Sequence, residues 1–565
     1  MSNAISEKLI TKILSLGAAL ATILVVSGSV TDPVNTPKFF AIGVIGFAAI
    51  GVLLSSGIWR MLGENKLTLV IVCLFICSMA IAVFSSESPL SQNLYGSYGR
   101  NNGFFAYLFL ALIFVSALVL RNSTNFQSLI KALLFAGIIN LVYCLWVICF
   151  GDFIGWSNPY GNILGTLGNP NFIGSFLGIF FTAYLGFAIS KNSSKPMRYS
   201  LVAVLPITVF EIYDSHAIQG RVVAALGMGI LGFLLIRSRF NRWITLSYLF
   251  IGSIAALFAL LGALQIGPLT KYIYKTSVSL RGQYWLAGWN TGESHPFTGV
   301  GMDSFGDWYR RSRDIHAIEL PGVNTVVNAA HNVPLDMFAF GGWPLLLTYL
   351  LIMGIAGISA VRLIIRNKSY DPIFAVLLTS WVGYQVQSVI SINQIGLAIW
   401  GWLLSALLIA YERANRLVPQ ESTQRSGQQK KKHSPSSVQP KLIVASSIGA
   451  LVGLLIALPP LASDTKWRSS QLDRTLPSLE ASMHPGYFNP QNSDKYLANI
   501  RILESSNLPE LSHRYALEAV KWNPEDFNLW KILYLIRDST PKEKNIALMN
   551  MKRLDPLNPD VTSPQ

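Results

Sequence analysis

Thirteen long apolar segments follow one another through the first 462 residues, and they constrain the fold more than any other feature of this chain. A helix that crosses a bilayer needs about 20 mainly apolar residues. Hydrophobic residues make up 51% of the 565 residues and charged residues only 13%, whereas about a quarter of a soluble protein is charged. This pattern predicts an all-α polytopic membrane protein with about 12–13 transmembrane helices, and it excludes a plain soluble enzyme or a disordered chain. The segments lie near residues 13–30, 38–56, 67–84, 103–120, 132–150, 171–190, 199–213, 222–236, 243–264, 333–361, 373–391, 396–411 and 442–462.

The distribution of Lys and Arg predicts the orientation. With the N-terminus in the cytoplasm, the inner loops are rich in Lys and Arg, whereas the short outer loops hold only Lys38, Arg100 and Arg221. Positive residues favour the cytoplasmic side. We therefore expect a multi-pass protein of the bacterial cytoplasmic (inner) membrane, with the C-terminal tail outside the cytoplasm. The net charge of +15 is then an orientation signal, and no nucleic-acid partner is expected.

Four parts are predicted along the chain. A transmembrane domain covers 1–412 and includes a large outer loop, 265–332. A basic Ser/Gln/Lys-rich segment, 413–441, is typical of a disordered cytoplasmic linker. A final transmembrane helix spans 442–462, and an extracytoplasmic helical tail covers 463–565.

Two stretches of the tail echo each other. Residues 516–524 end in Asn523-Pro524, and residues 547–556 end in Asp555-Pro556. Both read as a helix stopped by proline, which resembles the second helix of a tetratricopeptide repeat. Other arrays of helical hairpins with the same stops would look alike, so both interpretations stay open.

Four ionisable residues far apart in sequence fall on the predicted outer face: Arg100, Arg221, Arg281 and His331. Such residues in a membrane protein are candidates for function. Arginine binds phosphate oxygens with its planar fork, and histidine accepts a proton near neutral pH. The set therefore suits a lipid-linked diphosphate and an acceptor hydroxyl.

Structural roles compete with this interpretation. Arg221 has Glu211 and Asp214 as potential ion-pair partners, and Arg281 has Glu293. Three further arginines stand near Asp307 and Asp314 and are predicted to form a solvated face. They are Arg310, Arg311 and Arg313.

The sequence gives no sign of a metal or cofactor. It contains no Asp-x-Asp, Asp-x-Glu or Glu-x-Asp triplet, the kind of pair with which many sugar transferases hold a divalent metal. It also lacks a phosphate-binding Gly-x-x-x-x-Gly-Lys-Ser/Thr loop. We therefore expect no metal site and no cofactor, with arginines neutralising a diphosphate.

Three elements in the outer loop carry a family resemblance. An Arg-x3-Trp helix (Arg281 to Trp285) is followed by a Pro-x2-Gly-x-Gly turn (296–301). A His331-Asn332 element then enters a membrane helix that contains Gly341-Gly342. This order resembles the O-antigen ligase and O-antigen polymerase superfamily of bacterial lipid-linked glycan transferases, which includes protein O-oligosaccharyltransferases. GTLGNPNFIGSF (165–176), with Asn169, is also similar to this family, and the resemblance covers roughly residues 10–412.

The resemblance implies a C-type glycosyltransferase fold and transfer of a glycan from undecaprenyl diphosphate to an acceptor in cell-envelope polysaccharide biosynthesis, for example of lipopolysaccharide. It assigns catalytic roles to Arg221, Arg281 and His331, although Arg221 stands in a Gln-Gly-Arg setting where the family has Ser-Arg-Gly. The transfer is expected to be metal-independent and inverting. The predicted substrate-binding residues are Arg100, Asn332, Asp336, Trp285 and Asn169. Asp336 is expected either to hold the imidazole of His331 or simply to line the helix.

The predicted partners are the bilayer, an undecaprenyl-diphosphate-linked glycan and a lipid, glycan or protein acceptor. A ligase, a polysaccharide polymerase and a protein O-oligosaccharyltransferase differ only in acceptor, and a helical tail favours a ligase slightly. A polysaccharide or lipid transporter is the alternative from another class. Transporters place charges at mid-membrane in broken helices, whereas the charges of this chain cluster at the outer face.

Overall fold

The structure is a computed structural model that describes residues 2–190, 193–416 and 439–562, and its regular elements within these ranges are helices. Most of the predicted linker, 417–438, lies outside the described residues. The membrane-embedded part begins with ten helices: α1 Ser2–Ile23, α2 Asn35–Ser55, α3 Lys66–Phe84, α4 Leu90–Tyr95, α5 Phe104–Ala117, α6 Ser123–Phe150, α7 Pro170–Ala188, α8 Lys195–Asp214, α9 Ile218–Arg239 and α10 Arg242–Ala263.

The large loop and the rest of the chain are helical as well. The loop contains α11 Thr270–Ile273, α12 Thr276–Ser294 and α13 Phe305–Ser312. The later spans are α14 Val333–Arg366, α15 Pro372–Ile390, α16 Ile395–Arg416 and α17 Pro440–Asp473. The tail contains α18 Leu476–Met483, α19 Ser493–Ser505, α20 Pro509–Trp522, α21 Phe527–Leu535, α22 Pro541–Leu554 and α23 Pro559–Thr562. Short 3₁₀ or π turns occupy Gly57–Asn65, Gly165–Leu167 and Ile318–Gly322.

Ten helices of the described residues are long and apolar enough to cross a membrane, which confirms a polytopic membrane protein. They are α2, α3 with the preceding 3₁₀ turn, α6, α7, α9, α10, α14, α15, α16 and α17. The other three predicted spans coincide with α1, α5 and α8, which fall short in length or hydropathy. Of the thirteen predicted spans, ten thus meet the length and hydropathy of a membrane span in the described residues, and the other three are weaker.

Hydrogen bonds sort the loops into two groups. At one end of the bundle, Asn102 Nδ2 donates to Asn393 O at 2.6 Å, and Asn35 Nδ2 donates to Gly99 O at 2.7 Å. At the other end, Arg121 pairs with Glu64 at 2.8 Å, and Arg366 with Glu412 at 2.9 Å. The first group contains the predicted outer loops and the second the predicted inner loops, and α1, α5 and α8 each connect one group with the other.

The bundle is built around α16. Its membrane segment is wholly buried, whereas that of α10 is wholly exposed at the edge. Rings from α3, α5 and α14 pack around Trp402 on α16, with Phe75 at 5.4 Å and Tyr349 at 6.3 Å between centroids. Aromatic packing of this kind orders the core beyond simple burial. It also fixes α14, the helix that follows the large loop.

The last span and the tail are attached to the rest of the molecule along their length. Helix α17 packs against α2 so closely that a Cβ on Gly453 would collide with the carbonyl of Gly43. At its outer end, Asp464 accepts hydrogen bonds from Asp32 N at 2.8 Å and Tyr98 Oη at 3.0 Å. The helix continues to Asp473, so the boundary predicted at residue 462 falls inside one continuous element.

Candidate active site

Arg281 lies on α12, in the second turn, at the edge of the outer loop. Its side chain is half-buried, and its Nη1 reaches Ser277 O only at 3.4 Å. The Nε atom is buried without a hydrogen-bond partner, and no ion pair joins Arg281 to any carboxylate of the described residues. Burial lowers the pKa of the Arg281 guanidinium. A half-buried cation with donors left over is suited to bind an anion.

His331 stands beside α12 on the loop that enters α14. Its ring lies 5.2 Å from the ring of Tyr284, and its carbonyl accepts a long hydrogen bond of 3.4 Å from Trp285 Nε1. The backbone of His331 is in the left-handed region, with φ 56°. Few non-glycine residues adopt this conformation, and those that do often belong to functional sites.

The protonation of His331 follows from its surroundings. Nδ1 lies 3.2 Å from the carbonyl oxygen of Ala329, which only accepts, so the hydrogen belongs on Nδ1 and the lone pair on Nε2. Burial lowers the pKa of His331 to about 4; the Ala329 carbonyl opposes this shift, whereas the charges of Arg281 and Arg100 add to it. At neutral pH the imidazole is therefore uncharged and its Nε2 can accept a proton.

Asn332 and Asp336 shape the loop around His331. Asn332 is the N-cap of α14, and its side chain accepts a hydrogen bond from Leu335 N at 3.1 Å. Asp336 is buried, and its Oδ1 accepts from Ala330 N at 2.8 Å instead of holding the imidazole. Its Oδ2 is buried with no hydrogen-bond partner. Both side chains thus position the backbone on either side of His331.

The Pro-x2-Gly-x-Gly turn is explained by a break in α14. Gly341 and Gly342 leave helical geometry, and the turn packs into the gap. Val300 N donates to Ala339 O at 2.9 Å, and Trp343 N donates to Pro296 O at 2.7 Å. Gly299, at φ 63°, touches the backbone of α14 so closely that any Cβ would collide with it. The turn therefore clamps the loop to the first two turns of α14.

Arg100 is already paired. Its Nη2 lies 3.3 Å from Asp303 Oδ1, and its Nη1 donates to Asn328 O. The other oxygen of Asp303 accepts from Ser97 N at 2.8 Å. Burial raises the pKa of the Asp303 carboxyl, although Arg100 opposes the shift. Arg100 thus ties the outer loop before α5 to the loop that carries His331.

The other predicted residues lie apart from this group. Arg221 is exposed in the first turn of α9, and no hydrogen bond or ion pair with a described residue is found for it, including with Glu211 and Asp214. Asn169 caps α7 by accepting from Asn171 N at 2.9 Å, and its Nδ2 donates to Tyr160 Oη. No hydrogen bond or ion pair joins either residue to Arg281 or His331 within the described ranges.

The prediction of a solvated face for Arg310, Arg311 and Arg313 is wrong. Arg310 and Arg313 are buried and share Asp555 of the tail, at 2.8 and 2.7 Å. Arg311 is largely buried and pairs with Glu525 of the tail at 2.5 Å. The sequence suggested nearby aspartates as neighbours, but carboxylates more than 200 residues away provide the partners.

Residues 217–350 match the family model described as O-antigen ligase. The matched range, here called the O-antigen ligase segment, covers about a quarter of the chain. The match confirms the resemblance drawn from the sequence motifs, and it indicates a ligase-type glycosyltransferase. Comparison with curated proteins gives no match.

The O-antigen ligase segment contains most of the candidate residues. Arg221, Arg281 and His331 lie inside it, together with the residues that shape the histidine loop. Arg100 and Asn169 lie outside the matched range. Two further residues lie at the candidate site by geometry: Tyr284, which packs on the imidazole of His331, and Asp303, which pairs with Arg100. Asp303 lies two residues after the Pro-x2-Gly-x-Gly turn, but the motif does not include it, so the sequence did not identify it as a site residue.

Proposed function

We propose that the protein is a membrane glycosyltransferase that moves a glycan from undecaprenyl diphosphate to an acceptor, on the outer face of the bacterial cytoplasmic membrane. The main support is the pair formed by Arg281 and His331 in an O-antigen ligase segment. One is a half-buried cation without a carboxylate partner, and the other is a neutral imidazole beside it. An anionic leaving group and an acceptor hydroxyl need these two groups.

The reaction that fits is an inverting displacement at the anomeric carbon. The acceptor oxygen forms a bond to that carbon while the bond from the carbon to the diphosphate oxygen breaks. Nε2 of His331 takes the hydroxyl proton, and the diphosphate leaves with its lipid. Arg281 stabilises the charge that develops on the diphosphate, and Arg221 contributes a second positive charge to the same leaving group. Because arginines neutralise the diphosphate in this scheme, the transfer is metal-independent.

The ligase interpretation is favoured over a polymerase or a protein O-oligosaccharyltransferase by the tail. Its helices dock on α13 of the same loop that holds Arg281 and His331. A domain fixed beside the site is suited to present or select an acceptor. A transporter does not explain why a neutral histidine and an unpaired arginine stand next to each other at one face.

The decisive experiment examines the lipid-linked glycans of cells that lack the protein. Full-length chains that stay on undecaprenyl diphosphate would support a ligase, and single repeat units would indicate a polymerase. Free lipid-linked oligosaccharide beside unmodified protein would indicate a protein glycosylator. A wild-type pool of lipid-linked glycan on both membrane faces would contradict transfer altogether, and glycan-lipid retained only on the cytoplasmic face would indicate a transporter.

A further inference from the structure

A large cavity, whose lining does not include Arg281, lies between the tail and the loop before α5. It is an open groove of about 1390 Å³, here called the tail groove. Its walls include Leu90 and Tyr95 of α4, Tyr487 of the segment after α18, and Arg514, Tyr515 and Trp522 of α20. It exceeds the roughly 300–1,000 Å³ of a pocket for a small ligand. The groove therefore has room for an extended chain.

The walls combine aromatic faces with hydrogen-bonding groups. Tyr487 is 59% exposed, and Tyr95 and Trp522 are half-buried at the surface of the groove. His484, Glu518 and Lys521 line the groove as exposed polar side chains, whereas the amides of Asn489 and Gln491 in the lining are buried. Sugar rings present C–H-rich faces that stack on aromatic side chains, and their hydroxyls pair with amide and charged groups. A lipid surface, in contrast, requires a continuous apolar face.

The charges of the groove are nearly balanced. Lys466, Arg514 and Lys521 stand against Glu480 and Glu518, and Arg514 already pairs with Glu480 at 3.1 Å. A densely charged polymer needs a groove with an excess of the opposite charge, which these side chains do not provide. A neutral or weakly charged chain is therefore the better fit.

A short covalent path joins the groove to the site. Helix α4, one wall of the groove, ends at Tyr95, and Arg100 follows five residues later. Gln92 on α4 donates to Asp307 of α13 at 3.0 Å, and Asn523 at the end of α20 donates to the same carboxylate at 3.1 Å. The two walls of the groove thus meet on α13, in the loop that carries Arg281.

We propose that the tail groove binds the saccharide chain of a substrate through its aromatic faces and holds that chain outside the diphosphate site. This inference rests on the proposed function for the class of its occupant. The chain belongs either to the lipid-linked donor or to a saccharide acceptor, which share the same chemistry.

The test measures binding to the full-length protein in detergent by equilibrium dialysis. One probe is the fluorescently end-labelled oligosaccharide that mild acid releases from the polyprenyl-diphosphate pool of the producing cell. The other is the saccharide released from its envelope glycoconjugates. Preferential binding of the first probe assigns the groove to the donor chain, and of the second to the acceptor; binding of neither overturns the proposal.

Matched variants separate the groove from the rest of the tail. Tyr487→Ala and Arg514→Ala each weaken binding about tenfold, because stacking or hydrogen bonds are lost. Two controls change exposed side chains of the tail outside the groove lining: Leu535→Ala, on α21, and Arg537→Ala, whose arginine approaches Glu504. Both controls bind within about twofold of the wild type. Equal binding by groove and control variants, or displacement of the probe by phospholipid vesicles, would overturn the proposal.

This outcome is independent of catalysis. Arg281→Ala and His331→Ala are expected to bind the oligosaccharide like the wild type while failing to transfer it. If both variants kept full transfer, the proposed function would fail, whereas the groove would still be judged by the dialysis result alone.

Discussion

The large loop between α10 and α14 holds one arginine on α12 and three on or just after α13, which look alike in sequence and differ in structure. On α12, Arg281 is half-buried and lacks a carboxylate partner. On and just after α13, Arg310, Arg311 and Arg313 pair with Asp555 and Glu525 of the tail. Arg281 therefore has a positive charge available for a ligand. The three arginines near α13 instead form ion pairs that hold the loop and the tail together. Arginine spacing does not distinguish these roles; the presence of a partner does.

Replacing Arg281 is expected to give the largest effect. Arg281→Ala should lower transfer by about 10³-fold, because the departing diphosphate loses its nearest positive charge. Thermal stability should stay within about 1 kcal/mol of the wild type, because no ion pair is lost. Transfer is followed in vesicles with lipid-linked glycan, and stability by thermal unfolding in detergent. A large loss of stability with normal transfer would place Arg281 in the same class as Arg310.

The variant Asp555→Asn tests the arginines near α13 by removing the carboxylate with which Arg310 and Arg313 pair. Removing one partner of a buried ion pair costs about 3–5 kcal/mol, and here Arg310 and Arg313 would both be left without their carboxylate. We expect the tail to detach from α13 and to become sensitive to limited proteolysis. Asp560→Asn, at the exposed edge of the same region, serves as the control. Unchanged protease resistance in Asp555→Asn would show that this ion pair does not hold the tail.

Replacing His331, the proposed proton acceptor, is expected to lower transfer less than replacing Arg281, and the transfer rate should depend on pH in a distinctive way. His331→Ala should lower transfer about 10²-fold or more, the usual contribution of a general base. Since the pKa of His331 is lowered to about 4, the wild type should keep a constant rate near neutral pH. The rate should fall as acidification protonates Nε2. The donor diphosphate will raise this pKa when bound, so kcat should fall at a higher pH than kcat/KM.

The variant Asn332→Ala is a suitable comparison for His331. It removes the helix cap at a cost of about 1 kcal/mol and should leave the pH profile unchanged. If the transfer rate of the wild type did not fall at acidic pH, His331 would not be the base.

Arg221 should show the smallest effect. Its side chain is exposed and forms no hydrogen bond or ion pair with Arg281 or His331 in the described residues. If it reaches the leaving group only when substrate is bound, Arg221→Ala should raise KM about tenfold and leave stability unchanged. An unaltered KM would leave Arg281 as the single arginine for the diphosphate.

Much of the fold could be predicted from the sequence, because apolar length and the Lys/Arg bias act locally. All thirteen predicted segments overlap helices, although α1 ends at Ile23, seven residues before the end of the first segment, and the loops sort into the expected two groups. Two of the predicted spans fall short as membrane helices for physical reasons. Helix α5 has only 14 residues, and α8 contains Pro206 and several polar residues. The helical tail was also predicted, and both of its proline stops end helices, at Trp522 and Leu554.

The site was predictable only in part. The motif order located Arg281 and His331 in one loop, and in the structure Tyr284 and Trp285, on the helix of Arg281, contact His331. What the sequence did not reveal were the long-range pairs, such as Arg100 with Asp303 and Arg310 with Asp555, because a charge partner 200 residues away leaves no local signal. The role of Asp336 was left open by the sequence, and the structure shows that its carboxylate accepts from the backbone of Ala330, six residues earlier.

The close contact between α2 and α17 has a consequence for how the polypeptide can be assembled. Gly43 and Gly453 bring the two helices together in the bilayer, and Asp464 and Asp555 fasten the tail at two separate points outside it. All of these attachments are noncovalent, and none involves residues 417–438. Two separately expressed fragments, 1–416 and 439–565, should therefore find each other in the membrane and reconstitute the whole protein.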